Sequence, residues 1–92
     1  MAINIFVTYD LIKTKDYLAV HTAIRALGTW AKVTESNWYV RTQYDLETCF
    51  NHVRKSLDAD DKLILVDATN NSARWNNIDP VEAKKIVDNW QK

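Results

Sequence analysis

The sequence is poor in the residues that punctuate or cross-link a chain. Its 92 residues include one glycine, one proline, one cysteine and one methionine. A single cysteine excludes an internal disulfide, which fits a reducing compartment. A single glycine excludes a glycine-rich phosphate loop, which needs several positions where bare backbone closes on the ligand. Neither sign of charge is in surplus, with 12 basic side chains against 12 acidic ones. That balance argues against a dedicated nonspecific nucleic-acid binder and leaves room only for a local basic patch. No apolar run approaches the ~20 residues of a membrane helix, and no basic, apolar, cleavable segment opens the chain. The expectation is a soluble cytoplasmic protein with no membrane partner.

What is present is a core. Hydrophobic residues make up 47% of the chain and charged ones 26%, a globular balance and enough for one domain over residues 1–92. Four Trp and four Tyr must be packed somewhere. Ile3 to Asp10 alternates Ile3, Ile5, Val7, Tyr9 against Asn4, Phe6, Thr8, Asp10, the period of a strand between two environments. Lys13 to Asp16 reads as a polar turn with Thr14 and Asp16 as possible caps. Tyr17, Val20, Ala23, Ile24 and Leu27 then share one helical face, and Gly28 falls where a left-handed C-cap is expected.

Trp30 to Glu35 and Asn37 to Thr42 read as an antiparallel hairpin, with Trp38, Val40 and Thr42 on the side facing the helices. Asp45 caps a second helix whose stripe is Leu46, Cys49, Phe50, Val53 and Leu57. After the acidic turn Asp58 to Asp61, Lys62 to Ala68 is nearly all apolar and reads as a buried central strand. Thr69 to Ile78 reads as a loop anchored by Trp75. Asp79-Pro80-Val81-Glu82 starts a last helix that buries Ala83, Ile86, Val87 and Trp90. The order β-α-β-β-α-β is the ferredoxin-like α+β pattern, an antiparallel sheet with both helices on one face. Its core spans about residues 1–68, with a loop and extra helix over 69–92 and the first and fourth strands expected at the centre.

The chemistry-bearing residues are few. Asp10 ends the first strand, where its carboxylate can either hold Mg²⁺ or cap the turn that follows. Asn4, Phe6, Lys32, Tyr39, Arg41 and Asp67 are expected on the sheet face away from the helices. Aromatic and basic residues there fit an RNA-stacking platform or, better, a dimer interface covering the bare face. Cys49 and His52 have a two-ligand zinc spacing, but Cys49 lies on the apolar stripe and only His21 remains as another nitrogen ligand, so Cys49 is read as core. No cofactor is required by any motif.

Val7-Thr8-Tyr9-Asp10-Leu11, the helix closing on Gly28, Trp30, Ser36-Asn37-Trp38-Tyr39-Val40 and Asp61 to Asp67 together resemble the SinR-like small proteins of bacteria and phages. That family is similar in turn to the CRISPR-associated protein two and VapD superfamily. The resemblance implies a ferredoxin-like homodimer with facing sheets, serving as a metal-dependent nuclease, a toxin or a binding scaffold. It also implies that Asp10 from both protomers would hold Mg²⁺ at the dimer axis. The lone carboxylate and balanced charge favour a module that binds nucleic acid or a host protein, with the Mg²⁺ nuclease as the alternative.

Overall fold

A computed structural model describes residues 1–12 and 17–92. The expected caps Thr14 and Asp16 lie outside the described residues. Seven elements follow in order: β1 (Ile3–Asp10), α1 (Tyr17–Arg25), β2 (Gly28–Thr34), β3 (Asn37–Thr42), α2 (Leu46–Arg54), β4 (Lys62–Asp67) and α3 (Pro80–Asn89). The strands make one antiparallel sheet in the order β2-β3-β1-β4. This is the ferredoxin-like α+β sandwich, with a C-terminal helix added.

The register sorts side chains onto two faces. Ile5, Val7 and Tyr9 pair with Val40, Trp38 and Ser36's neighbourhood on one side and with Asp67, Leu65 and Leu63 on the other. Their face meets Val20 and Ile24 from α1, Leu27 from the turn after it, and Cys49 and Val53 from α2, forming the main core. Asp45 caps α2 as expected, its carboxylate accepting the Thr48 N–H at 2.8 Å. Asp79 does the same for α3 through the Val81 N–H at 2.8 Å, with Pro80 at the first helical position.

The opposite face is partly covered by the chain itself. Ala31, Tyr39 and Ile86 are buried there, with Phe6, Val33 and Trp90 packed around them. Trp90 lies stacked on Tyr39, centroids 5.7 Å apart and planes 23° apart. Asn4, fully buried, fixes this closure: its Oδ1 accepts from Tyr39 Oη (2.9 Å) and the Gln91 N–H (2.8 Å), while its Nδ2 donates to the Gln91 carbonyl at 2.8 Å. Burial pushes the Tyr39 hydroxyl up to about 12, so it stays protonated as the donor.

α3 also closes the β2 edge of the sheet. The Glu82 carboxylate accepts the Lys32 N–H at 2.9 Å and pairs with Lys85 at 3.0 Å, and the Lys85 ammonium stands 4.2 Å from the Trp30 ring centre.

Four expectations change. β4 is an edge strand, and the central pair is β1 and β3. Leu63 and Leu65 pack on the core, but Ile64 and Val66 point to the other face and are 59% and 48% exposed, because α3 lies over β2 and does not reach them. Gly28 is no left-handed cap: no glycine has positive φ, and Gly28 instead begins β2 against Thr42. Finally, Val87 is exposed and Trp75 does not anchor its loop. The anchor is Trp90, whose indole N–H donates to the Asn71 carbonyl at 3.0 Å. Asn70 and Asn77 take left-handed backbone at φ 66° and 59°, which asparagine tolerates better than most residues.

Candidate functional site

Strand pairing determines which of the expected interface residues share a face. Asn4 pairs with Arg41 and Phe6 with Tyr39, so these four lie on the α3 side of the sheet. Tyr39 and Asn4 are fully buried beneath the C-terminal segment, Phe6 is half-buried at its margin, and Arg41 is half-buried. Tyr39 is therefore no outward-facing residue: Trp90 occupies the space in front of it. Lys32 pairs with Trp38 and Asp67 with Ile5, which places both on the face of α1 and α2. Lys32 there forms an exposed ion pair with Glu35 at 3.4 Å.

What remains open is the β1–β4 half of the α3 side. Cross-strand pairs Asp10–Lys62, Thr8–Ile64 and Phe6–Val66 line it in register. Its centre is apolar, its end carries one charge of each sign, and it borders the only sheet edge that no element covers among the described residues. The exposed apolar pair Ile64 and Val66 on an unpaired strand is a surface that folded chains usually guard.

Asp10 also borders a cleft of about 450 Å³ at the end of β1, shared with Tyr9, Tyr17, His21, Glu35 and Ser36. The centre of this cleft is a pair that sequence reasoning did not bring together. Tyr9 Oη donates to the Glu35 carbonyl at 3.0 Å and lies 2.6 Å from His21 Nε2. A hydroxyl has one proton, and the imidazole tautomer sets which of the two groups donates across the 2.6 Å contact. Burial, then Lys32 and Arg25, hold the His21 pKa below its ordinary value, and burial raises that of Tyr9. The visible signal was Tyr17 and His21 at i and i+4, one aromatic face of the helix that follows the strand carrying Tyr9.

This pair has a pH consequence. Because the folded protein binds the His21 proton more weakly than the unfolded chain does, acidification favours unfolding. The contribution is intact above about pH 6.5 and is lost as pH falls from there towards the lowered pKa of the folded state. Thermal melts at pH 7.5 and 5.5 are expected to show lower stability at the acid value, and His21→Gln should shrink that difference.

Asp10 is exposed and faces Lys62 across the strand pair. Among the described residues the one group of three metal-ligating side chains is Asp58, Asp60 and Asp61, and Asp10 is not part of it. Asp61 is occupied in turn formation, its oxygens accepting the Ile12 N–H at 3.1 Å and the Asp58 N–H at 2.9 Å. One carboxylate fits Mg²⁺ only as part of a shared shell, since this ion binds through one or two protein carboxylates and water. Cys49 is fully buried and its thiol points to Thr42 Oγ1 at 3.8 Å, whereas His52 is exposed, so the two have different surroundings and Cys49 is a core residue. Among known proteins, no family model, no curated protein and no solved structure matches the chain.

Proposed function

We propose that the chain is a small homodimeric binding module that pairs with a second copy through the β1–β4 half of its sheet. One observation carries this reading: the chain closes its β2 edge with Glu82 and leaves β4 bare, with Ile64 and Val66 at 59% and 48% exposure. Phe6 extends the same apolar stripe, and a self-complementary patch of this kind favours a two-fold pair. Nucleic acid or a host protein is the class of cargo, in keeping with the SinR-like resemblance. Light scattering at micromolar concentration is expected to give a dimer, and Ile64→Lys a folded monomer. A monomeric wild-type protein overturns the reading.

The Mg²⁺ nuclease is the second reading, supported by Asp10 sharing the open face with Ile64 and Val66. Two Asp10 carboxylates about a two-fold axis would hold one hydrated Mg²⁺, which would supply an activated water. Asp10→Asn then abolishes Mg²⁺-dependent cleavage of RNA or DNA and leaves the dimer intact. Absence of cleavage by both proteins, with no Mg²⁺ uptake by calorimetry, leaves the binding module alone.

A further inference from the structure

A groove of about 410 Å³ runs between the loop after β4 and the last turn of α3, lined by Asn71, Arg74, Trp75, Val87, Trp90 and Lys92 among others. Its volume is in the range of small-ligand sites. We infer that this groove binds a nucleotide unit, with the base stacked on Trp75 and the phosphate held by Arg74 and Lys92.

Charge and aromatic surface point to the same ligand. In a chain of 12 basic and 12 acidic side chains, the ionisable side chains lining this groove are both basic. Their partner is an anion. Trp75 is 43% exposed, and no other aromatic ring packs against it among the described residues. A partly exposed indole lining one groove with two cations matches a flat aromatic ring carrying negative charge, because stacking serves the ring and the cations serve the phosphate. An acidic peptide would use the cations and leave the indole without a stacking partner.

The groove is also held in shape before any ligand arrives. Trp90 forms one wall and is itself fixed by its stack on Tyr39 and by its hydrogen bond to the Asn71 carbonyl at 3.0 Å. The Asn70 N–H reaches the Gln91 carbonyl at 3.4 Å, a second tie between loop and C-terminal segment. A site already organised loses less freedom on binding. The inference deepens the binding-module reading by giving it a ligand class, and it rests on that reading for the purpose such binding serves. The groove itself is built by a single chain.

The test is an NMR titration of the full chain with AMP, adenosine, inorganic phosphate and a short single-stranded oligonucleotide, with light scattering on the same samples. AMP is expected to bind more tightly than adenosine or phosphate alone, shifting the Trp75 indole resonance. Trp75→Ala should weaken binding about tenfold and Trp75→Phe should recover part of that loss. Arg74→Ala should weaken binding and reduce its dependence on salt. An oligonucleotide that binds more tightly than AMP identifies single-stranded nucleic acid as the source of the unit, and equal affinity identifies the free nucleotide. Failure of both AMP and the oligonucleotide to bind at millimolar concentration overturns the inference, as does binding that Trp75→Ala leaves unchanged. A dimer that binds neither removes the groove and keeps the dimer, and a monomer that binds AMP does the reverse.

Discussion

Asn4→Ala is expected to destabilise the protein by about 3–5 kcal/mol, one of the largest effects of any single change in this chain. The amide of Asn4 is fully buried and satisfies three groups at once: the Tyr39 hydroxyl, the Gln91 N–H and the Gln91 carbonyl. Alanine leaves the Tyr39 hydroxyl and the Gln91 N–H without this partner and the Gln91 carbonyl with only the Asn70 N–H at 3.4 Å, and each orphaned buried group costs about 1–3 kcal/mol. For a domain of this size that loss lowers Tm by roughly 20 °C. Tyr39→Phe makes an informative contrast, since Asn4 Oδ1 keeps the Gln91 N–H and the cost falls to about 1 kcal/mol. Amide hydrogen exchange should show Asn4→Ala releasing Gln91 and Trp90 before the sheet opens. A loss below about 1 kcal/mol for Asn4→Ala would mean that the C-terminal segment is not held by this amide.

Asn4 also shows what local sequence reading could and could not reach. The alternation of Ile3 to Asp10 placed Asn4 on the face away from α1 and α2, and the pairing with Arg41 agrees. Periodicity sorts residues onto faces because successive side chains of a strand point to opposite sides. It does not say what covers a face. The cover here is Trp90, 86 positions away in sequence, and nothing local to Asn4 or Tyr39 encodes that contact. An asparagine in a strand is disfavoured by propensity, so a buried one marks a polar partner arriving from elsewhere.

The same limit explains β4. An apolar run can arise from burial on both faces or from one buried face and one exposed sticky face, and composition is identical in the two cases. Leu63 and Leu65 are the core half, while Ile64 and Val66 are the open half. The N-caps of α2 and α3 were legible, since Asp45 and Asp79 act on N–H groups two or three residues away. Of the site residues, Asp10 was found at the strand end but not its neighbours. The Tyr9–His21 hydrogen bond joins two elements across 12 positions through the segment that separates β1 from α1.

Gly28 is the position where the two ways of reading a glycine give different numbers. A glycine ending a helix in left-handed backbone is replaced by alanine at a cost of about 1–2 kcal/mol, and asparagine is tolerated better than alanine because it visits that conformation. Gly28 has no positive φ, so neither argument applies. A Cβ there would stand 2.1 Å from the Arg41 carbonyl oxygen and 3.1 Å from its carbon, both backbone atoms of β3 that cannot rotate away. To relieve the contact β2 must move outward, loosening the Gly28–Thr42 and Thr29–Arg41 pairs and drawing Trp30 off the core margin. Gly28→Ala is therefore expected to cost about 2–4 kcal/mol, at or beyond the usual range for overpacking because backbone has to yield. Gly28→Asn should be at least as damaging, since its Cβ meets the same oxygen. Urea denaturation of the two variants beside the wild type measures both. If asparagine proves clearly milder than alanine, the left-handed cap is the correct account of Gly28 and the close approach of β2 to β3 is not.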